Sequence, residues 1–153
     1  MFKVSIIEKL IKIPTIRKVN RLLQNLSKDI KINNINFIRD YLIEFPDIID
    51  VIPKAVNSAK KYLPNAQIVL DFYIDPEIDD NHPIIYVRVE NYDNNFIELL
   101  EKAEKEFIKE LVDKKGWISL TTDFGKPDKW KGEKTILKEQ EVNKKGQVKS
   151  GLE

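Results

Sequence analysis

The residues best suited to chemistry stand together in one short stretch: Asp75, Glu77, Asp79, Asp80, Asn81 and His82. Carboxylates in alternate positions suit a hard divalent cation such as Mg, Ca or Mn. Asp75, Glu77, Asp79 and His82 are therefore the metal-ligand candidates, and any metal-dependent enzyme activity would reside there. The spacing does not complete a calcium loop. Counting from Asp75, the sixth position is Asp80 where an EF-hand needs glycine, and the twelfth is Tyr86 where it needs a bidentate glutamate. The expected role is a solvated hairpin tip whose charges discourage edge pairing. His82 is the only histidine, which excludes a two-histidine site. The single histidine is read as excluding a histidine–aspartate–serine arrangement as well, and His82 reads as a surface imidazole beside Pro83.

No GxGxxG, GxxxxGK[ST] or GxSxG pattern occurs, and five glycines leave little material for a phosphate-cradling loop. No catalytic residue and no cofactor is expected, and the chain is read as a non-enzyme. Two other groups of residues point to partners. Lys12, Arg17, Lys18 and Arg21, in a basic N-terminal region, are the nucleic-acid candidates, although a helix-turn-helix would need a tighter turn than Pro14–Thr15. Tyr73, Tyr86 and Trp130 are the protein-binding candidates. Trp130, in KPDKWKGEK, is an aromatic among charges that forgoes ~2–3 kcal/mol if left in water.

The chain has 153 residues, 42% hydrophobic and 33% charged, with a net charge of +1. That length fits one domain with a possible appendage. Near-neutrality hides an uneven distribution: net +5 over residues 1–45, −8 over 46–113 and +4 over 114–153. The basic ends are expected to fold back on the acidic middle. With no cysteine, disulfides and thiolate-bound zinc are excluded, which fits a cytoplasmic location. No apolar run reaches the ~18 residues of a membrane span. MFKVSIIEKLIKIP does not read as a signal peptide.

The elements that must position these residues follow from periodicity. Residues 1–45 form a basic helical region. Val4, Ile7, Leu10 and Ile11 recur at helical spacing until Pro14, which is expected to stop the run. Thr15 then caps a second helix with Ile16, Val19, Leu22, Leu23, Leu26 and Ile30 on one stripe. The Asn33–Asn34 pair ends it, and Asn36 caps a helix carrying Ile38, Tyr41, Leu42 and Phe45. Residues 46–124 form an α+β core. A helix is expected over 47–63, with a kink or restart at Pro53. Ile68, Leu70, Phe72 and Ile74 alternate with Val69, Asp71, Tyr73 and Asp75, the period of a strand with one buried face, and Ile85, Val87 and Val89 form the apolar row of a second. An antiparallel register setting Phe72 against Val87, Tyr73 against Tyr86 and Asp71 against Arg88 matches side chains best. A helix over 94–115 carries Phe96, Leu99, Leu100, Ala103, Phe107 and Leu111, with Glu98–Lys102, Glu101–Lys105 and Glu110–Lys114 at i, i+4 and Gly116 at its end. Trp117 to Phe124 is a candidate third strand. Residues 125–153 form a polar, basic tail.

Val69, Leu70, Phe72 and Ile74, then Asp75–Pro76–Glu77, Ile85, Val87 and Val89, and finally Leu99, Leu100 and Phe107 carry a resemblance. Over residues 66–120 the chain resembles a family of small uncharacterised prokaryotic α+β proteins with an Asp-Pro-Glu hairpin. In that family a tryptophan follows the helix aromatic by a few residues, whereas Trp117 follows Phe107 by ten. The resemblance implies a fold and carries no activity.

The expected fold is thus α+β: N-terminal helices, then helix–strand–strand–helix–strand around a small antiparallel sheet. The alternative is a ferredoxin-like βαββαβ unit with Ile30–Ile38 as its first strand. The expected function is a non-enzymatic protein-interaction module that binds another protein or a second copy of itself, with no membrane partner. Nucleic-acid association is the alternative, and a metal-dependent enzyme stands last.

Overall fold

The computed structural model describes residues 2–128, with side chains from Leu10 onward. Trp130 and nearly all of the basic tail lie outside the described residues. The fold is α+β. In chain order the elements are α1 (Phe2–Ser27), β1 (Lys31–Ile32), α2 (Ile35–Glu44), a 3-10 turn (Pro46–Ile48), α3 (Val51–Tyr62), β2 (Gln67–Tyr73), β3 (His82–Arg88), α4 (Phe96–Ile108), a second 3-10 turn (Lys109–Leu111) and β4 (Ser119–Thr121).

The four strands lie in sequence order, β1-β2-β3-β4. The central β2–β3 pair is the expected antiparallel hairpin, but β1 joins β2 and β4 joins β3 in parallel, so the sheet is mixed rather than antiparallel. Two crossovers produce this: α2 and α3 carry the chain from β1 to β2, and α4 carries it from β3 to β4. Each joins adjacent strands. The ferredoxin-like alternative needs each crossover to skip a strand, and it fails on that point even though a short first strand exists.

Side chains alternate across the sheet. Ile32, Ile68, Leu70, Phe72, Ile85, Val87 and Leu120 face the helices, where they meet Ile38, Leu42, Ile52, Val56, Ala103 and Phe107 in one core. The opposite face carries Lys31, Gln67, Val69, Asp71, Tyr73, His82, Ile84, Tyr86, Arg88, Ser119 and Thr121, by the same alternation.

The hairpin register differs from the side-chain match by four residues. Ile68 pairs with Val87, Leu70 with Ile85 and Tyr73 with His82. An even offset keeps every side chain on its expected face, so the core is unaffected. The observed ladder pairs all seven residues of each strand, whereas the expected one would have to run through Glu90–Asn91. Tyr86 consequently opposes Val69, not Tyr73, and Arg88 takes its carboxylates from beyond β4 instead of from Asp71.

Helix boundaries differ where proline or a short segment decides them. Pro14 lies inside a continuous α1 rather than ending a helix. Its missing N–H frees the Leu10 carbonyl, but this part of α1 is exposed and water can satisfy it. Pro53 falls in the first turn of α3, where its N–H would have no helical partner anyway. The expected 47–63 helix is therefore a 3-10 turn followed by α3. The residue that opens α2 is Asn34, not Asn36, with a left-handed φ of 54° that asparagine tolerates. Gly116 caps nothing. Its Cα packs so tightly that a Cβ would come within 2.9–3.0 Å of the Ile48 side chain and 3.0 Å of Phe45. Of the three expected i, i+4 pairs only Glu98–Lys102 forms among the described residues, while Glu110 pairs with Lys54.

The two halves of α1 differ. Val19 and Leu23 are buried against the body, while Leu10, Ile11 and Ile13 are 62%, 68% and 40% exposed. Leu10 precedes Val19 by nine residues, about two and a half turns, so it points away from the side that Val19 buries.

Candidate functional site

α2 buries Ile38 and Leu42. The spacing i, i+3, i+4, i+7 puts Phe37, Asp40, Tyr41 and Glu44 on a neighbouring face. That face forms one wall of an open cleft of about 520 Å³ at the hairpin-loop end of the sheet. Phe45 and Phe72 extend the wall, the loop residues Asp79, Asp80 and Asn81 with His82 close one side, and Lys115 with Trp117 close the other. The aromatic rings are continuous: Phe37 stacks on Phe72 (centroids 5.7 Å apart), and Tyr41 touches both Phe72 (5.9 Å) and Phe45 (4.6 Å). Phe37 is 51% exposed and Trp117 41%.

The Lys115–Trp117 wall is pinned by hydrogen bonds. The Asp47 carboxylate accepts the backbone N–H of Lys115 (2.6 Å) and of Gly116 (3.2 Å), and the Tyr41 hydroxyl accepts that of Trp117 (2.9 Å). Burial pushes the Tyr41 phenol above its ordinary pKa, an effect the Trp117 N–H partly offsets and Asp47 reinforces.

His82 is buried on β3 rather than exposed in a loop. Its Nδ1 lies 3.2 Å from Asp80 Oδ1 and its Nε2 lies 2.9 Å from Ser119 Oγ. An Asp–His–Ser arrangement therefore does form, contrary to the expectation, because β4 brings Ser119 beside the start of β3. In the neutral ring the tautomer that donates from Nδ1 to the Asp80 carboxylate leaves Nε2 to accept from the Ser119 hydroxyl. Ser119 Oγ in turn accepts the Trp117 indole N–H at 3.2 Å. The connectivity is that of a nucleophilic triad. Acyl transfer further needs donors converging on an oxyanion beside the nucleophile, and Ser119 does not line the cleft. What the relay does is hold the Trp117 indole in place at the cleft wall.

The acidic loop organises itself without a metal ligand set. Asp75 Oδ1 accepts the N–H of Glu77 (2.8 Å) and of Ile78 (3.3 Å), the Asp75 N–H donates to Asn81, and Tyr73 donates to Asp75 Oδ2. Those two N–H donors hold the Asp75 carboxyl below its ordinary pKa. Among the described residues no three acidic, histidine or cysteine groups converge to hold a metal ion. Tyr73 packs on the His82 ring (5.4 Å) and, like Tyr86, is half-buried. On α1, Lys12, Arg17, Lys18 and Arg21 are all exposed. Arg17, Lys18 and Arg21 share the solvent side, whereas Lys12 stands nine residues from Arg21, about half a turn round the helix. Lys18 lies 3.4 Å from Asp50.

Phe37, Asp40 and Glu44 were missed from sequence because the core stripe of α2 was read and its second face was not, and Trp117 was missed because a contact 76 residues away in sequence brings it to Tyr41. Comparison with family models, curated proteins and solved structures finds no match to this chain.

Proposed function

We propose that this chain is a protein-interaction module whose contact surface is the cleft between α2, the hairpin loop and the segment Lys115–Trp117. One observation carries the reading: exposed aromatic rings, Phe37 and Trp117, face a concave space of about 520 Å³ on backbone that is fixed by hydrogen bonds. Aromatics that are rigid and open are what interface cores use, because they bury much area with little loss of side-chain freedom. The unpartnered Leu10, Ile11 and Ile13 on α1 add a second apolar patch that the described residues leave uncovered.

A photo-reactive phenylalanine analogue at Phe37 tests this reading in native lysate. Val112, which is 84% exposed and away from the cleft, is the control position. A discrete protein adduct from position 37 and none from 112 is expected. Equal or absent adducts at both positions would overturn the reading.

A further inference from the structure

The partner's anchoring group is written in the charge of the cleft. Asp40, Glu44, Asp79 and Asp80 line it, with Lys115 as the single basic side chain. Several acids elsewhere are paired: Asp50 with Lys18, Asp29 with Lys60, Glu106 with Lys61, Glu110 with Lys54 and Asp123 with Arg88. Scattered ones such as Glu90 and Glu101 form no ion pair among the described residues, so what sets the cleft apart is the gathering of its acids beside open rings. Asp40, Glu44 and Asp79 have no such partner among the described residues, and Asp80 has only His82. The rings are also open to a cation. Among the described residues the cation lying over a ring is Lys61 at Tyr62, far from the cleft. Carboxylates beside aromatic faces attract a positive group twice, through charge and through the ring quadrupole. The same carboxylates repel phosphate, so nucleic acid does not fit here.

Arginine matches this surface better than lysine. Its planar guanidinium stacks on an aromatic face while its edge donates a fork of N–H groups to a carboxylate, whereas an ammonium is a compact, strongly hydrated point charge. Phe37 supplies an exposed stacked ring, and Asp40 and Glu44 stand on the same helix face. We infer that the cleft receives an arginine side chain presented by a peptide segment of a partner protein. This rests on the interaction reading above and names the chemistry of that partner.

The test is an amide-resolved NMR titration of the full chain with acetyl-Gly-Gly-Arg-Gly-Gly-amide. The citrulline version, which keeps the shape and removes the charge, is the comparison. Shifts are expected at residues 37–45, 72, 79–82 and 115–117, with citrulline binding about tenfold weaker or worse. Asp40→Asn with Glu44→Gln should weaken arginine binding by about tenfold, while Glu101→Gln with Glu104→Gln on the exposed side of α4 should leave it unchanged. Equal binding of the two peptides, or shifts spread over all acidic surfaces, would overturn the inference. Simultaneous shifts in residues 129–153 would make the chain's own lysine-rich end the occupant and overturn the assignment to a partner. The crosslinking result separates the two readings. Adducts at position 37 with a failed titration would sink the arginine assignment alone. Failure of both would sink the module.

Discussion

The two ends of the sheet treat charge in opposite ways. Where β2 begins and β3 stops, Arg88 donates to both oxygens of Asp123 (2.8 and 3.2 Å) and to Asp128 (3.4 Å), and Lys31 also pairs with Asp128. The Gln67 side-chain amide accepts the Asp128 backbone N–H (2.8 Å) and donates to the Asp128 carbonyl (3.4 Å). At the hairpin-loop end, Asp40, Glu44 and Asp79 stand exposed and form no ion pair among the described residues, although Lys115 lines the same cleft. Burial explains the contrast. The Arg88 side chain is only 17% exposed, and a desolvated cation left unpaired would be costly. Exposed carboxylates are screened by water and salt, so the fold tolerates them unpaired. At one end the carboxylates are thus neutralised within the chain, and at the other the acids of the cleft stand without an ion pair among the described residues.

The largest expected effect comes from the core that both ends share. Ile85 is fully buried on β3 between Leu70 and Leu120. Ile85→Ala should lower stability by ~2–5 kcal/mol, since the cavity left on a central strand cannot collapse fully. Urea unfolding would show this as a lower midpoint at unchanged slope. A loss under about 1 kcal/mol would mean the sheet is less well packed than described.

Next in size is the floor of the open end. Gly116→Ala puts a Cβ against Ile48 and Phe45, at distances where one of them must move. Overpacking of this kind costs about 1–3 kcal/mol. It should also shift the fluorescence of Trp117, whose backbone N–H is tied to Tyr41. The same measurement would show no change if the segment were loose, and the open end would then not be preformed.

How much of this was legible in the sequence differs between the same two regions. The alternation of Ile68, Leu70 and Phe72 with their neighbours gave the strand and its buried face, because a period of two is a direct consequence of the pleat. It did not give the register, since any even offset satisfies the same pattern. β1 was legible only as part of the alternative's Ile30–Ile38 strand, because it consists of Lys31 and Ile32 alone and its pairing with β2 depends on a crossover through two helices. Pro14 misled because proline usually ends a helix, whereas α1 continues through it. The open end was the hardest to read. Ser119 and His82 are 37 residues apart, and no local spacing foretells their contact. Yet Phe37, Asp40, Tyr41 and Glu44 were readable as a helix face, had the polar side of α2 been read with the same periodicity as its core side.

Arg88→Ala opens the closed end. Removing charge-assisted bonds to Asp123 and Asp128 should cost about 1–2 kcal/mol, less than for a buried pair because both acids are partly solvated. Arg88→Lys should recover only part of it, since an ammonium cannot hold both Asp123 oxygens as a fork does. Acid should have the same effect. The Arg88 guanidinium holds the Asp123 carboxyl below its ordinary pKa. Its contribution is therefore complete above the unfolded value of about 3.9 and is lost as pH falls through the lower folded value. Urea midpoints should fall with pH in that window, and by less in Arg88→Ala. Parallel acid limbs in the two proteins would mean that the network contributes nothing.

The smallest effect on stability is expected at the open rim, and its sign is what matters. Asp40→Asn with Glu44→Gln removes two negative charges that stand one helical turn apart on α2 and share a cleft with Asp79 and Asp80. Like charges at i, i+4 destabilise a helix by a few tenths of a kcal/mol, and no ion pair among the described residues is lost in exchange. The double variant should therefore be as stable as the parent or more so, within about 0.5 kcal/mol. Any gain should be larger at low salt, where screening is weakest. A substantial loss of stability would show that these carboxylates already have a partner within the chain, and the cleft would then be closed like the Arg88 end. A neutral or slightly favourable change, together with weakened arginine-peptide binding, would separate the two ends on energetic grounds. On that outcome the acids of one end would hold the fold, while those of the other would be kept at no gain to it.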